Sequence, residues 1–235
     1  MKTAWCIAKR EIGAYFASPV AYLLLAAFVA ISGLLFYNEF FVARQARMDQ
    51  LFGKLPLVFL LLVPAMAMRL LAEEKRSGTI EVLLTMPVRD SEVVIGKLAA
   101  GLAVLVLSLV ATLPYPIAVS RLGDLDLGPV IGGYIGALLL GSLYLTASMF
   151  ASSLTRNQVI ALVAGLLICF GVYALQWAVE SGRASGAILL YMSPSFHYQN
   201  MTRGYFEFRS LVYFASASGL FVLLTIQALE ARKWR

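Results

Sequence analysis

Charge is scarce in this chain. Asp, Glu, Lys and Arg make up 14% of its 235 residues, 60% are hydrophobic, and the mean hydropathy is +0.81. A soluble domain carries about a quarter charged and about half apolar residues, so a polytopic membrane protein is expected. The length leaves room for about six spans of about 20 residues and for no sizeable soluble domain. Cysteine is scarce too. Cys6 and Cys169 are the only two, which excludes a disulfide framework, and both read as buried small apolar side chains. No HExxH and no paired aspartates lie in an apolar segment, which removes the usual constellations of intramembrane enzymes. A Walker A sequence is missing as well. The nearest fragment, Ile95-Gly96-Lys97-Leu98, lacks the upstream glycine and the Ser or Thr after lysine, so this chain is not expected to hydrolyse ATP. No span carries an ionisable residue at mid-depth, which argues against a proton- or sodium-coupled secondary transporter.

What charge there is sits at the ends of apolar runs. The formal net charge is +6, and this placement suits membrane lipid headgroups and orientation in the bilayer rather than nucleic acid. Lys9, Arg10 and Glu11 interrupt the N-terminus before any apolar core forms, so no cleavable signal is expected and the first span serves for targeting. Residues 3–17 read as an interfacial amphipathic helix, with Trp5, Ala8, Ile12, Tyr15 and Phe16 on one face and Lys9 and Glu11 away from it. Ser18-Pro19 then turns the chain. Six spans follow, at about 20–37, 55–71, 93–120, 130–154, 159–179 and 210–229. Pro56 and Pro64 fall in the second, where a proline frees a carbonyl and often kinks a helix. Pro114 and Pro116 bend the outer end of the third, and Lys97 near its start reads as snorkelling to the interface.

Gly132 and Gly136 form a GxxxG in the fourth span, and Gly141 extends the small-residue face by a turn. Such a face allows close helix approach, either within one subunit or at a dimer seam. Residues 180–209 form the longest loop. It is rich in aromatics, including Tyr191, Phe196, Tyr198, Tyr205, Phe206 and Phe208, and reads as two short helices dipping into the outer leaflet. Met192, His197 and Met201 in this loop are a soft-ligand set that suits Cu(I). A lone histidine among aromatics is more often structural, and no metal is expected.

The most informative stretch is Met68–Lys97, which holds seven charged residues from Arg69 to Arg89 between two apolar segments. Arg69 and Glu73 are spaced to pair at i, i+4. Gly78 ends the preceding helix and Thr79 is placed to cap a new one. Ile80–Met86 makes about two turns, stopped by Pro87. Ile80, Leu83, Leu84 and Pro87 share one side of that short helix, and Glu81 and Thr85 share another. Asp90 or Ser91 is placed to cap the next long helix, and Glu92 suits its positive end.

The segment AEEKRSGTIEVLLTMPV resembles the coupling segment of ABC-2-type transporter permeases, whose common pattern is E-x-G-T-x-E-x-L-L-x-x-P. Gly78–Pro87 carries the G-T-x-E-x-L-L-x-x-P part. REIGAYFASPVAY at Arg10–Tyr22, SPSFHYQNMTRGYFEFRSLVYF at Ser193–Phe214 and the terminal LEARKWR resemble the gliding-motility branch and its nitrous-oxide-reductase-maturation relatives. The resemblance implies one ABC-2-type transmembrane domain over 1–235. This would be an all-α integral membrane protein with six spans, a cytoplasmic coupling helix within 73–90 and a periplasmic hairpin at 180–209. It also implies an ATP-binding cassette partner that carries ATP and Mg, with no cofactor in this chain itself. A second permease subunit, as homo- or heterodimer, is implied too, and an auxiliary membrane-anchored protein with a periplasmic domain is common in that branch.

By the same resemblance, Thr79, Ile80, Glu81, Leu83, Leu84 and Thr85 dock the cassette. Glu73, Glu74, Lys75, Arg76, Gly78 and Pro87 shape the elbow. The setting would be a bacterial inner membrane with both termini cytoplasmic. With the termini inside, twelve Lys and Arg residues fall on inner segments and seven on outer ones, a bias of the expected sign. Two other functions compete with cassette-driven export. One is a mechanochemical subunit that moves a periplasmic partner without cargo. The other is a secondary carrier that works without a cassette.

Overall fold

The computed structural model describes residues 2–38, 48–78, 89–123, 125–180 and 191–231. Among these residues every regular element is helical. The helices are α1 (Lys2–Ala17), α2 (Pro19–Tyr37), α3 (Asp49–Ser77), α4 (Asp90–Val110), α5 (Pro114–Leu122), α6 (Leu127–Leu154), α7 (Gln158–Glu180), α8 (Pro194–Thr202) and α9 (Phe208–Glu230). Six segments are long and apolar enough to cross a membrane, with α4 and α5 together forming one of them.

Local chemistry accounts for the breaks. Ser18 is extended, at φ −95° and ψ 132°, and its side chain accepts a hydrogen bond from the Val20 N–H. Pro19 follows where its missing N–H costs nothing. Pro114 and Pro116 do more than bend a span: α4 stops at Val110, and a turn over Ala111–Leu113 precedes α5. Asp126 caps α6 by accepting from the Gly128 N–H at 3.0 Å. The expected side-chain cap on α4 is not formed. Its N-cap is Arg89, extended and without a side-chain cap bond, and Asp90 is already inside the first turn.

Two helices make the core. About two-thirds of the apolar stretch of α3 and of α6 is buried, against 17% for α2 and α7 and 11% for α9. The outer helices turn Leu23, Leu34, Leu167, Leu220 and Leu223 outward, an apolar surface suited to hydrocarbon. Of the cysteines, Cys169 is buried as expected, whereas Cys6 is exposed on α1.

The second apolar run is longer than the expected 55–71. With 29 residues, α3 measures about 43 Å against about 30 Å of hydrocarbon, so its ends project beyond any bilayer core. Pro56 and Pro64 both lie inside it. Lacking an N–H, Pro56 leaves the Phe52 carbonyl without its i+4 donor. The Tyr198 hydroxyl of α8 supplies one, donating to Phe52 O at 2.7 Å. Tyr198 is therefore fully buried inside the protein. That burial raises its pKa above the usual tyrosine value and keeps the hydroxyl a donor.

The glycines of α6 are buried against neighbours in the same chain. A Cβ at Gly132 would strike the carbonyl oxygen of Met201, and one at Gly136 would sit 3.1 Å from the Tyr198 ring and 3.2 Å from the Met201 Cβ. At Gly141 it would lie 2.7 Å from a Leu105 methyl. The small-residue face thus receives α8 at one end and α4 further along, leaving no glycine stripe open for a dimer seam.

Candidate functional site

At one end of the bundle three helices, α1, α3 and α4, bring their charges together. It is the end where α1, α4 and α7 begin and α3, α6 and α9 finish. Here α1 packs on α4 because Gly96 has no side chain: a Cβ there would come within 2.9 Å of Ala4 O and of two Ile7 side-chain carbons. Ile7 and Val93 form a small apolar cluster at the contact. The buried face of α1 therefore runs through Ile7, Ala8, Glu11 and Tyr15, and Trp5 is exposed. Glu11 was expected away from the apolar face. Instead it is turned into the bundle.

The reason is Lys97. This residue does not snorkel; its side chain is 1% exposed and reaches Glu11 Oε1 at 3.2 Å and Glu74 Oε1 at 2.9 Å. Arg10 closes the cluster from outside, with its Nη2 3.1 Å from Glu11 Oε1 and 3.5 Å from Glu74 Oε1. A buried ammonium needs such partners, since its desolvation would otherwise cost several kcal/mol. Three elements, α1, α3 and α4, are thereby joined through one cation.

Next to this cluster, α6 holds the end of α3. The Ser152 hydroxyl donates to Met68 O at 3.0 Å and accepts from the Ala72 N–H at 2.9 Å and the Leu71 N–H at 3.3 Å. Lys75 is buried and donates from Nζ to the Ser153 carbonyl. Arg69 does not pair with Glu73; its Nη1 donates to Ser18 Oγ at 3.1 Å, tying α3 to the turn between α1 and α2. Tyr15 donates to Met66 O at 2.7 Å. Burial and the neighbouring Glu11 carboxylate raise its pKa above the usual tyrosine value, so it stays a donor. The helix then ends at Gly78, whose φ of 75° and ψ of −4° form a left-handed C-cap.

Of the expected elbow residues, the structure brings Glu74 and Lys75 into the junction, while Glu73 and Arg76 are exposed on its rim. Gly78 lies at the helix stop. Thr79, Ile80, Glu81, Leu83, Leu84, Thr85 and Pro87 lie outside the described residues. Sequence reading missed Glu11, Lys97, Ser152 and Ser153. A signal for the first two existed: a lone lysine seven residues into an apolar helix requires a carboxylate, and Glu11 interrupts the inward face of α1.

The soft-ligand set at the opposite end does not converge. His197 is buried, with Nδ1 3.0 Å from Ser210 Oγ and Nε2 3.0 Å from Tyr191 O. Its ring stacks on Tyr213 at 4.4 Å. Both ring nitrogens are occupied, the Met192 side chain is exposed, and Met201 is buried against Gly132 and Gly136. His197 is held on both ring nitrogens within the aromatic cluster, and no group of three His, Cys, Asp or Glu side chains among the described residues is placed to hold a metal.

Comparison with known families decides the wider identity. Residues 43–228, about four-fifths of the chain, match the family described as ABC-2 family transporter protein. The chain belongs to this family. No curated protein matches it significantly. As an ABC-2 family member with six apolar membrane-length segments, it is a multi-pass transporter permease. The membrane component in this family is generally not itself the ATPase, and it generally works with an ATP-binding cassette protein. In the ABC-2 protein described here, the charged junction braces both helices that flank residues 79–88.

Proposed function

We propose that this chain is the permease subunit of an ABC-2-type exporter and that residues 79–88 couple it to a separate ATP-binding cassette protein carrying ATP and Mg. The observation that carries this reading is the Lys97 junction. The segment leaves α3 four residues after Glu74 and enters α4 seven residues before Lys97, and those two side chains are 2.9 Å apart. A segment anchored at both ends to one buried cation passes a push to α1, α3 and α4 together instead of absorbing it locally.

In this reading the junction faces the cytoplasm of a bacterial inner membrane, with both termini on that side, and α1 lies along the interface. Lys9, Arg10, Arg69, Lys75, Arg76, Arg89, Lys97 and Arg156 belong to this end, against Lys54, Arg121, Arg203 and Arg209 at the other, in keeping with the positive-inside bias. Two permease subunits, identical or homologous, pair to serve the two docking grooves of a cassette pair. The sequence likeness supports the gliding-motility branch, with a membrane-anchored periplasmic auxiliary subunit.

Docking rests on Ile80, Leu83 and Leu84 as the apolar grip, with Thr79, Glu81 and Thr85 beside them. Burying one leucine contributes about 1.5–3 kcal/mol, and an aspartate there adds a desolvation cost. Leu84→Asp should therefore reach the membrane at normal levels, bind the cassette at least tenfold more weakly and lose transport-coupled ATPase. Co-purification with the cassette, normalised to folded permease, measures this. Reduced folded permease with unchanged cassette binding per molecule would overturn the assignment.

A further inference from the structure

A cavity of about 320 Å³ opens beside the junction, between the α1–α2 turn and α3. That is near the lower limit of about 300 Å³ for small-molecule sites. Its two ends differ in chemistry. Val20, Ala21 and Leu24 of α2 face Ala65 and Met66 of α3 at the apolar end, whereas Arg69, Glu73, Glu74, Glu11 and Lys97 surround the polar end. The apolar wall belongs to two membrane-length helices and the polar wall to their charged ends, so the cavity has the polarity gradient of a bilayer interface.

Among the described residues, two buried atoms here lack a protein partner and are opposite in character. Arg69 spends one amino group on Ser18, but its Nε–H finds no acceptor among the described residues. Glu74 gives Oε1 to Lys97, but its Oε2 finds no donor. Buried polar atoms of this kind are costly unless satisfied. The first calls for an anionic oxygen and the second for a cationic N–H. The cavity is lined by Glu11, Glu73 and Glu74 against Arg69 and Lys97, and Arg10, paired from outside with Glu11 and Glu74, brings the formal charges to balance. A ligand of net charge would upset that balance, and a zwitterion would not.

We infer that this cavity binds the phosphoethanolamine headgroup of a membrane phospholipid, its phosphate accepting from Arg69 Nε and its ammonium donating to Glu74 Oε2. One acyl chain descends along the groove of Val20, Leu24, Ala65 and Met66. A purely anionic headgroup such as phosphoglycerol would meet Arg69 and leave Glu74 unanswered. The source of the headgroup is the bilayer, because a soluble phosphoamine gains nothing from the apolar wall. The site does not depend on the coupling role of residues 79–88.

The test uses the full chain in lipid nanodiscs of equal phosphatidylethanolamine and phosphatidylglycerol, followed by release into detergent and native mass spectrometry. The wild type should retain one phosphatidylethanolamine per chain in preference to phosphatidylglycerol. Arg69→Gln should lower that retention about tenfold, as expected for the loss of one charge-assisted hydrogen bond. Ala65→Phe, which fills the apolar end without touching any charge, should lower it similarly and decides the matter if Arg69→Gln does not fold. Equal retention of both lipids by the wild type, or wild-type retention by Ala65→Phe, would overturn the proposal. Free glycerophosphoethanolamine displacing the bound lipid at micromolar concentration would overturn its membrane source. Cassette binding should survive in Ala65→Phe, which separates failure of this site from failure of the docking assignment.

Discussion

The two ends of the bundle are held by different means. At the charged end, the Gly96 approach and the Tyr15 and Ser152 bonds to the α3 backbone are joined by a cluster of ion pairs around Lys97, carried by long side chains with several rotatable bonds. At the aromatic end, α8 is seated directly on the backbone of α6 at Gly132 and on a backbone carbonyl of α3 through Tyr198. Arg209 covers the Tyr191 ring at 4.1 Å, and Phe52 meets Tyr134 edge-to-face at 5.3 Å. Backbone contact and ring packing tolerate little displacement. An ion-pair cluster with two carboxylates sharing one cation keeps its energy over a wider range of geometries. The comparison separates an end held by backbone contact and rings from one that adds a shared ion cluster, and the ion cluster adjoins the segment proposed to receive the cassette.

The largest effect is expected from Lys97→Met. It leaves the carboxylates of Glu11 and Glu74 facing each other with only the exposed Arg10 beside them. Their side chains are 14% and 17% exposed, so the cost should fall near the lower end of the range for a broken buried pair, about 3 kcal/mol. Thermal unfolding in detergent would show it. Adding Glu11→Leu and Glu74→Leu should restore most of that stability, because apolar groups replace a buried ion cluster at little cost. Coupled ATPase should stay low in the triple variant, and recovery of full coupling would show that the charges serve stability alone.

Gly132→Ala comes next, at about 1–3 kcal/mol from overpacking, because its methyl would meet the Met201 carbonyl oxygen. Gly141→Ala should cost less. Its methyl meets the end of the Leu105 side chain rather than a backbone atom. If the two cost the same, the aromatic end is no stiffer than the rest of the α6 face.

A smaller change, about 1 kcal/mol, is expected for Tyr198→Phe, which removes the hydroxyl donor from the Phe52 carbonyl. Pro56→Ala restores an N–H at i+4 and should recover part of the loss in the double variant. Unfolding temperatures of the four proteins form a double-mutant cycle that isolates this bond. The least effect is expected from Arg10→Gln, below about 0.5 kcal/mol, because the Arg10 side chain is 59% exposed and its pairs are screened by water and salt. A large effect there would move the weight of the junction from Lys97 to the surface.

These elements also show what was legible without coordinates. The six membrane-length segments, the turn at Ser18-Pro19 and the stop at Gly78 follow from apolar run length and from proline and glycine stereochemistry. Such properties belong to the local chain, so local sequence suffices. Lys97 was visible as a charge near a span end but was assigned to the interface. Snorkelling and burial in an ion pair look alike until a partner 86 residues away in the chain is known to face it. The Tyr198 contact has the same character. That Pro56 frees the Phe52 carbonyl follows from the sequence, but which hydroxyl answers it depends on where α8 comes to rest. The glycine face of α6 left open whether its partner was inside or outside the chain, because a small residue specifies close approach and nothing about what approaches.

One consequence of the length of α3 concerns leverage. Pro64 stands 14 residues from Gly78 and 12 from Phe52, arms of about 21 Å and about 18 Å along the helix axis. A rigid tilt of about 10° around Pro64 would carry both ends about 3–4 Å in opposite directions. With arms so nearly equal, the helix neither amplifies nor damps the displacement; it reverses it. A push at Gly78 would therefore reach the Phe52 end as a load on the Tyr198 bond, and α8, seated on α6 at Gly132, would resist it. In that geometry the length of α3 carries a load from one end of the bundle to the other, and the seat of α8 on α6 sets the limit of its travel.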